Sequence, residues 1–271
     1  MREVRSRTVL RVTFQEETPL DEDVPDGHRR SAPISDLHLG PHVSSLITGL
    51  SSMATRHILA DLARDYESRN GVRVDIRSMG GVEAAKLARA GEPVDLVVLA
   101  KKVMHSLEAE GWVAPGSIRD FAGSEIAIAV TAGGPAPAVG SERAVRQAIL
   151  EARRVCYSTG PSGDHLKALC ERWDFVDSVL KRALVAPPGT PVASLVARGD
   201  ADLGFQQLSE LVGQPGVEVV GPLPPEIQSV TVFSAGVSSR SAQPEAAHAF
   251  IAFLASAEAD AAKRRHGMEP G

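Results

Sequence analysis

From about residue 43 to the C-terminus the chain alternates short apolar runs with helical segments, and no other feature limits its fold so tightly. The run 43–50 (VSSLITGL) reads as a strand. A helix follows, with Ile58, Leu59, Leu62 and Tyr66 at helical spacing, and Asn70-Gly71 closes it. Val72, Val74 and Ile76 alternate as a second strand. The turn Ser78-Met79-Gly80-Gly81 leads into a helix over 82–90. The segment 94–99 (VDLVVL) is nearly continuous in apolar residues, as a strand buried on both faces requires. A helix at 101–110 and a strand at 125–130 (EIAIAV) complete this half. Strands separated by helices specify βαβ units and a parallel sheet.

The Gly/Pro-rich stretch 131–138 (TAGGPAPA) reads as a crossing to a second lobe, after which the rhythm resumes. Helices are expected at 141–152, 164–173 and 191–198, with strands at 154–157, 202–205 and 217–220. The extended run 228–235 carries the chain back, and the helix after Pro244 buries Ala247, Phe250, Ile251 and Leu254. The expected architecture is therefore α/β: two Rossmann-like lobes joined by two crossover segments, with a ligand cleft between them. Residues 44–130 plus 229–271 form the first lobe and 131–228 the second. Aromatics make up only 4% of the chain, so Ala, Val and Leu must fill both cores.

Residues 1–43 break the pattern. Pro19, Pro25, Pro33 and Pro41 interrupt them, and six acids fall within 16–26 without one base. This segment is expected to be a disordered or loosely attached leader. Arg2, Arg5 and Arg7 imitate the charged start of an export signal, but Arg11 interrupts the apolar run that follows. As written the chain is expected in the cytoplasm; with a different start, in the periplasm. The formal net charge is −5, but without the six leader acids the balance moves to about +1. Such a chain lacks the basic footprint that nucleic acids or anionic membranes require. Nowhere do ~18 apolar residues run together, so no membrane span is expected.

Cys156 and Cys170 fit no CxxC or zinc spacing and read as reduced, buried small residues. The eight histidines are scattered, with no HExxH, so no metal and no cofactor are expected.

Strand-to-helix turns carry the chemistry. Ser51-Ser52, Ser78 to Gly81, Ser158-Thr159-Gly160-Pro161-Ser162-Gly163 and Pro188-Gly189-Thr190 share Ser, Thr and Gly. A helix N-terminus exposes unpaired N–H groups and a partial positive charge. Glycine lets the backbone approach a ligand, and hydroxyls add donors. Helix capping explains any one turn; their recurrence within one βα repeat favours a shared small anion, held without full positive charges. No turn matches GxGxxG or GxxxxGK[ST], which disfavours nucleotides. Arg56, Arg77 and Lys86 lie near the first-lobe turns, either as solvated ends or as carboxylate partners. Glu83 and Asp164 occupy first helical turns, where a carboxylate suits the helix dipole.

From Ile47 onward the chain resembles the type 2 periplasmic-binding-protein superfamily, nearest its molybdate-binding branch. The resemblance rests on Leu50-Ser51-Ser52-Met53, Ser78-Met79-Gly80-Gly81-Val82, the run 90–97 (AGEPVDLV), Tyr157 to Gly163, and 196–204 (VARGDADLG). It implies first-lobe ligand groups from Ser51 or Ser52, Ser78, Gly80 and Gly81. From the second lobe it implies Ser158, Thr159, Ser162, Thr190 and Gln206, beside Gln207.

The function implied is binding of a small anion, an oxyanion or an organic carboxylate, with a transporter permease as partner only if the chain is exported. The superfamily also holds an isomerase of unsaturated tricarboxylates, so the alternative is an aconitate-isomerase-like allylic proton shift. That reaction needs one positioned base, for which Glu83, Asp164 and His165 are the sequence candidates. A regulator's effector domain fits least, because residues 1–43 are too Pro-rich and acidic for a helix-turn-helix.

Overall fold

A computed structural model of the chain describes residues 46–271, so the expectation for the leader 1–43 lies outside the described residues. Strand β1 (Leu46–Ser52) leads into a tight 3-10 turn at Met53–Thr55 and then into α1 (Arg56–Asn70). Ile58, Leu59, Leu62, Ala63 and Tyr66 form the buried stripe of α1. The helix stops at Gly71, whose φ of 67° is the left-handed cap that glycine adopts without strain. Strand β2 (Arg73–Met79), helix α2 (Gly81–Arg89), strand β3 (Leu96–Ala100) and helix α3 (Lys101–Ala109) repeat the unit. Strand β4 (Arg119–Ser124) ends the first pass.

The second lobe begins with β5 (Ile126–Thr131), then α4 (Glu142–Glu151), β6 (Val155–Tyr157) and α5 (Pro161–Arg172). It continues through β7 (Leu184–Val185), α6 (Val192–Ala197), β8 (Leu203–Gln207), α7 (Leu208–Leu211) and β9 (Val217–Pro222). Strand β10 (Thr231–Val237) returns to the first lobe, followed by α8 (Pro244–Leu254), α9 (Asp260–Arg265) and the short β11 (Glu269–Pro270).

The described residues form two sheets, ordered β11-β4-β10-β3-β1-β2 and β7-β6-β8-β5-β9. Each is covered on both faces. In the first lobe α1 and α8 pack on one side, where Tyr66 meets Phe250 edge to face at 5.1 Å, and α2 and α3 pack on the other. In the second, α4 and α5 cover one face while α6 and α7 cover the other. Burial of aliphatic side chains on both faces of β3 and β5 supplies the main driving force.

Two expectations need correction. The sheets are mixed rather than parallel, because β10 runs antiparallel to both β3 and β4, and β5 antiparallel to both β8 and β9. These are the strands next to the crossings, and they enter their sheets without a preceding crossover helix. The segment 125–130 also belongs to the second sheet, not the first. The chain crosses at Ser124–Ile126, and 131–138 is a loop of the second lobe, turned by the Gly134 N–H donating to the Thr131 carbonyl. The missed strand β4 has the sequence RDFAGS, whose charges, Gly and Ser hide any alternation.

Candidate functional site

A cavity of about 520 Å³ lies between the two sheets. The first lobe contributes Ser52 at the end of β1 and Gly80-Gly81 at the start of α2. The second lobe faces it with Ser158, Thr159 and Ser162 around the start of α5, Thr190 in the loop between β7 and α6, and Gln206 at the end of β8. Eight of the ten residues expected at the site therefore line one space.

Ser51 and Ser78 do not line it. Strand β1 extends through Ser52 and β2 through Met79, so both serines lie within strands rather than in turns. Adjacent strand residues point to opposite faces, so Ser51 and Ser52 cannot both face the cleft. Ser51 pairs in register with Ser78, and their hydroxyls lie 2.7 Å apart.

Neither α2 nor α5 has a side-chain cap. The first intrahelical bond of α2 runs from Ala84 N–H to the Gly80 carbonyl, leaving the amides of Gly81, Val82 and Glu83 without a partner in the helix. At α5, Gly163 and Asp164 both donate to the Gly160 carbonyl, Pro161 has no N–H, and the Ser162 amide is left. This turn depends on glycine: a Cβ on Gly163 would sit 1.7 Å from the Ser158 carbonyl oxygen. Two helix N-termini from opposite lobes thus meet one cavity, an arrangement that favours negative charge.

The floor is more polar than the sequence suggested. Gln206 Nε2 donates to Glu210 Oε1 at 2.7 Å, and Gln207 Nε2 donates to Thr231 Oγ1 at 2.8 Å. Both glutamines are buried, and Oε1 of each has no partner. With either orientation of its amide, Gln206 keeps one hydrogen-bonding atom unused beside the cavity.

Glu210, which sequence reasoning missed, also lines the cavity. The residue is half-buried, with many protein atoms round its carboxyl. Burial pushes that carboxyl up to about 8, against a smaller downward pull from the Gln206 amide. No local spacing signalled it, because Gln206 lies in β8 and Glu210 on α7, and only the strand-to-helix turn brings the two side chains together.

The three sequence candidates for a base fare differently. Glu83 is exposed and does not line the cavity. His165 Nε2 bonds the Ile227 carbonyl at 2.8 Å and also lies off the lining. Asp164 reaches the lining but is exposed and pairs with Lys167 at 2.7 Å.

Among the nearby cations, Lys86 lines the cavity, together with Arg89 and Lys102. Arg89 is held by both carboxylate oxygens of Glu110. Arg77 pairs with Glu92, and neither it nor Arg56 is part of the lining. Phe233 and Pro187-Pro188 give the cavity an apolar component.

The two cysteines are buried and unbridged; burial pushes their thiols up to about 12 for Cys156 and about 11 for Cys170. Among the described residues, no cluster of His, Cys, Asp and Glu has the arrangement of a metal site. Nor is any helix among them long and apolar enough to cross a membrane.

The fold matches solved type 2 periplasmic binding proteins. The periplasmic molybdate-binding protein of Azotobacter vinelandii superposes with a TM-score of 0.68 at 20% identity, covering 82% of this chain and 98% of that one. The sulfate-binding protein SubI of Mycobacterium tuberculosis gives 0.69 at 16% identity, covering 83% and 87%. A protein of a Pseudomonas species named aconitate isomerase is 38% identical over 231 residues, which is 83% of this chain and 87% of the relative. The family model described as bacterial extracellular solute-binding protein matches residues 47–269. With strands, crossings and cleft all falling inside that span, the chain belongs to the bacterial extracellular solute-binding protein family.

Proposed function

We propose that the cleft binds a small organic anion carrying more than one carboxylate. The observation that carries this reading is the cavity wall: unpaired N–H groups of α2 and α5 face one space from opposite lobes, with Ser and Thr hydroxyls between them. A volume of about 520 Å³ is in the range of sites for small organic molecules, and it exceeds what a lone tetrahedral oxyanion fills. The apolar lining from Phe233 and the prolines suits a carbon skeleton. The unused amide atom of Gln206 suits a ligand with polar groups at more than one position.

Calorimetric titration with di- and tricarboxylates, molybdate, tungstate and sulfate tests the reading. Carboxylate binding well above that of the inorganic anions is expected. Tight binding of an inorganic oxyanion with no carboxylate response would overturn it.

A second reading is favoured by one specific observation. The relative at 38% identity is named aconitate isomerase, whereas the oxyanion-binding structures share 20% identity or less. On this reading the bound ligand is an unsaturated di- or tricarboxylate, and the cleft moves its double bond by an allylic proton shift. Proton NMR of purified protein with cis- or trans-aconitate should show interconversion; binding without interconversion would reduce the function to carrying the acid.

A further inference from the structure

We propose that Glu210 is the catalytic residue of the cleft, taking a proton from the bound acid and returning it at another carbon. The proposal rests on the isomerase reading and names the group that performs it.

The geometry carries it. Glu210 stands on α7, immediately after β8, and α7 packs against the Met53–Thr55 turn that follows Ser52. The carboxyl therefore lies where the end of β1 in one lobe meets the end of β8 in the other. Its neighbour Gln206 donates to one oxygen at 2.7 Å and is itself 2% exposed, with its remaining amide atom unpartnered. The unpartnered Gln206 oxygen is costly to leave unpaired in the free protein, unless a ligand completes it. Together these groups form a polar floor beneath a cavity whose upper walls supply anion donors.

No charged group adds to the upward shift of the Glu210 carboxyl, so its environment is set by enclosure and one amide. An acid near 8 is a far stronger base, once ionised, than an ordinary carboxylate, and it is close to the working pH at which a proton carrier is most effective. The other acid on the lining, Asp164, is exposed and tied to Lys167, so it lacks this property.

The step balances without any co-reactant. Ionised Glu210 takes a proton from a carbon that lies between a carboxylate and the double bond. The electron pair of the broken C–H bond becomes the new C=C, and the former π pair moves toward the far carbon and its carboxylate. Negative charge building on that carboxylate meets the N–H groups at α2 and α5. The far carbon then takes the proton back from Glu210, forming one C–H bond for the one broken. Nothing is oxidised or reduced, and the carboxylate is regenerated.

The test uses the full chain with cis- and trans-aconitate in deuterated water. Calorimetry measures binding, and NMR measures both interconversion and deuterium entering the carbon skeleton. Wild type should interconvert the isomers and exchange. Glu210→Gln should bind within about threefold of wild type while losing interconversion and exchange by at least about 100-fold. Glu210→Asp, which withdraws the carboxyl by one methylene, should fall between them; it also serves if Glu210→Gln does not give the wild-type circular dichroism. A Glu210→Gln protein that turns over and exchanges within tenfold of wild type would overturn the assignment and leave the isomerase reading standing. Wild type that binds but neither interconverts nor exchanges would overturn both.

Discussion

Gln207 Nε2 donates to Thr231 Oγ1 at 2.8 Å, tying the last residue of β8 in the second sheet to the first residue of β10 in the first. A parallel tie joins Ser209 on α7 to Ser124 at the end of β4, with hydroxyls 3.3 Å apart. Both contacts sit beside the chain crossings, where two lobes pivot if they open. Thr231→Val removes the acceptor while keeping the shape, leaving the buried Gln207 amide without its partner. We expect a loss of about 1–3 kcal/mol in denaturant unfolding, with ligand affinity also reduced because the two lobes are held together less firmly. Unchanged stability would mean that the amide finds another partner.

The serines of β1 should separate stability from binding. Ser52 lines the cavity, whereas Ser51 is fully buried against Ser78. Ser51→Ala should cost about 1 kcal/mol of folding stability and leave carboxylate affinity within about twofold. Ser52→Ala and Ser158→Ala should each weaken binding by about 1–3 kcal/mol with little change in unfolding midpoint. Calorimetry beside thermal denaturation distinguishes the two patterns.

Gly163 is required by space rather than by backbone angle. A methyl group there meets the Ser158 carbonyl and Tyr157 ring at 1.7 and 2.8 Å. Gly163→Ala must push the Ser158–Gly160 loop outward, at a cost of about 1–3 kcal/mol or more. Because that loop carries Ser158 and Thr159, affinity should fall along with stability. A variant that retains both would show that the loop shifts freely.

Asp95 organises the first lobe. One oxygen accepts from Thr48 N–H and Oγ, and the other from Ser241 Oγ and the amides of Ala242 and Gln243. Burial alone would raise its carboxyl, but these donors together outweigh burial and hold it below the ordinary Asp value. A lowered folded-state value means that the stabilisation is fully present above the unfolded value of about 3.9 and is lost as pH falls through the folded value. Wild type should therefore lose stability on acidification below about pH 4. Asp95→Asn should be less stable than wild type at pH 7 and flatter below pH 4, read from unfolding midpoints across that range.

Much of the fold was legible because local patterns report it. The continuous apolar run of β3, the stripe Ile58, Leu59, Leu62 and Tyr66 on α1, and Gly71 at its end each answer to a rule that acts within a few residues. The turns before α2 and α5 were legible for the same reason, and they brought Gly80, Gly81, Ser158, Thr159 and Ser162 to the cavity that Ser52 reaches from the end of β1.

The remainder depended on contacts between distant segments. Which of Ser51 and Ser52 faces the cavity is decided by where β1 ends, and that end is set by pairing with β2, 27 positions away for Ser51 and Ser78. The sheet to which β5 belongs is decided by its pairing with β8 and β9, since an apolar strand satisfies its own sequence in either lobe. Glu210 belongs to no motif or periodic pattern in the sequence. Only when α7 packs on the turn after β1, with Gln206 beside it, is its carboxyl crowded by protein at the edge of the cavity. By itself the sequence determined most of the elements and the Ser-, Thr- and Gly-rich turns, because hydrophobic period and helix ends are local. Tertiary structure decided the register, the lobe boundary and the acid, because burial belongs to the assembled lobes and not to any one segment.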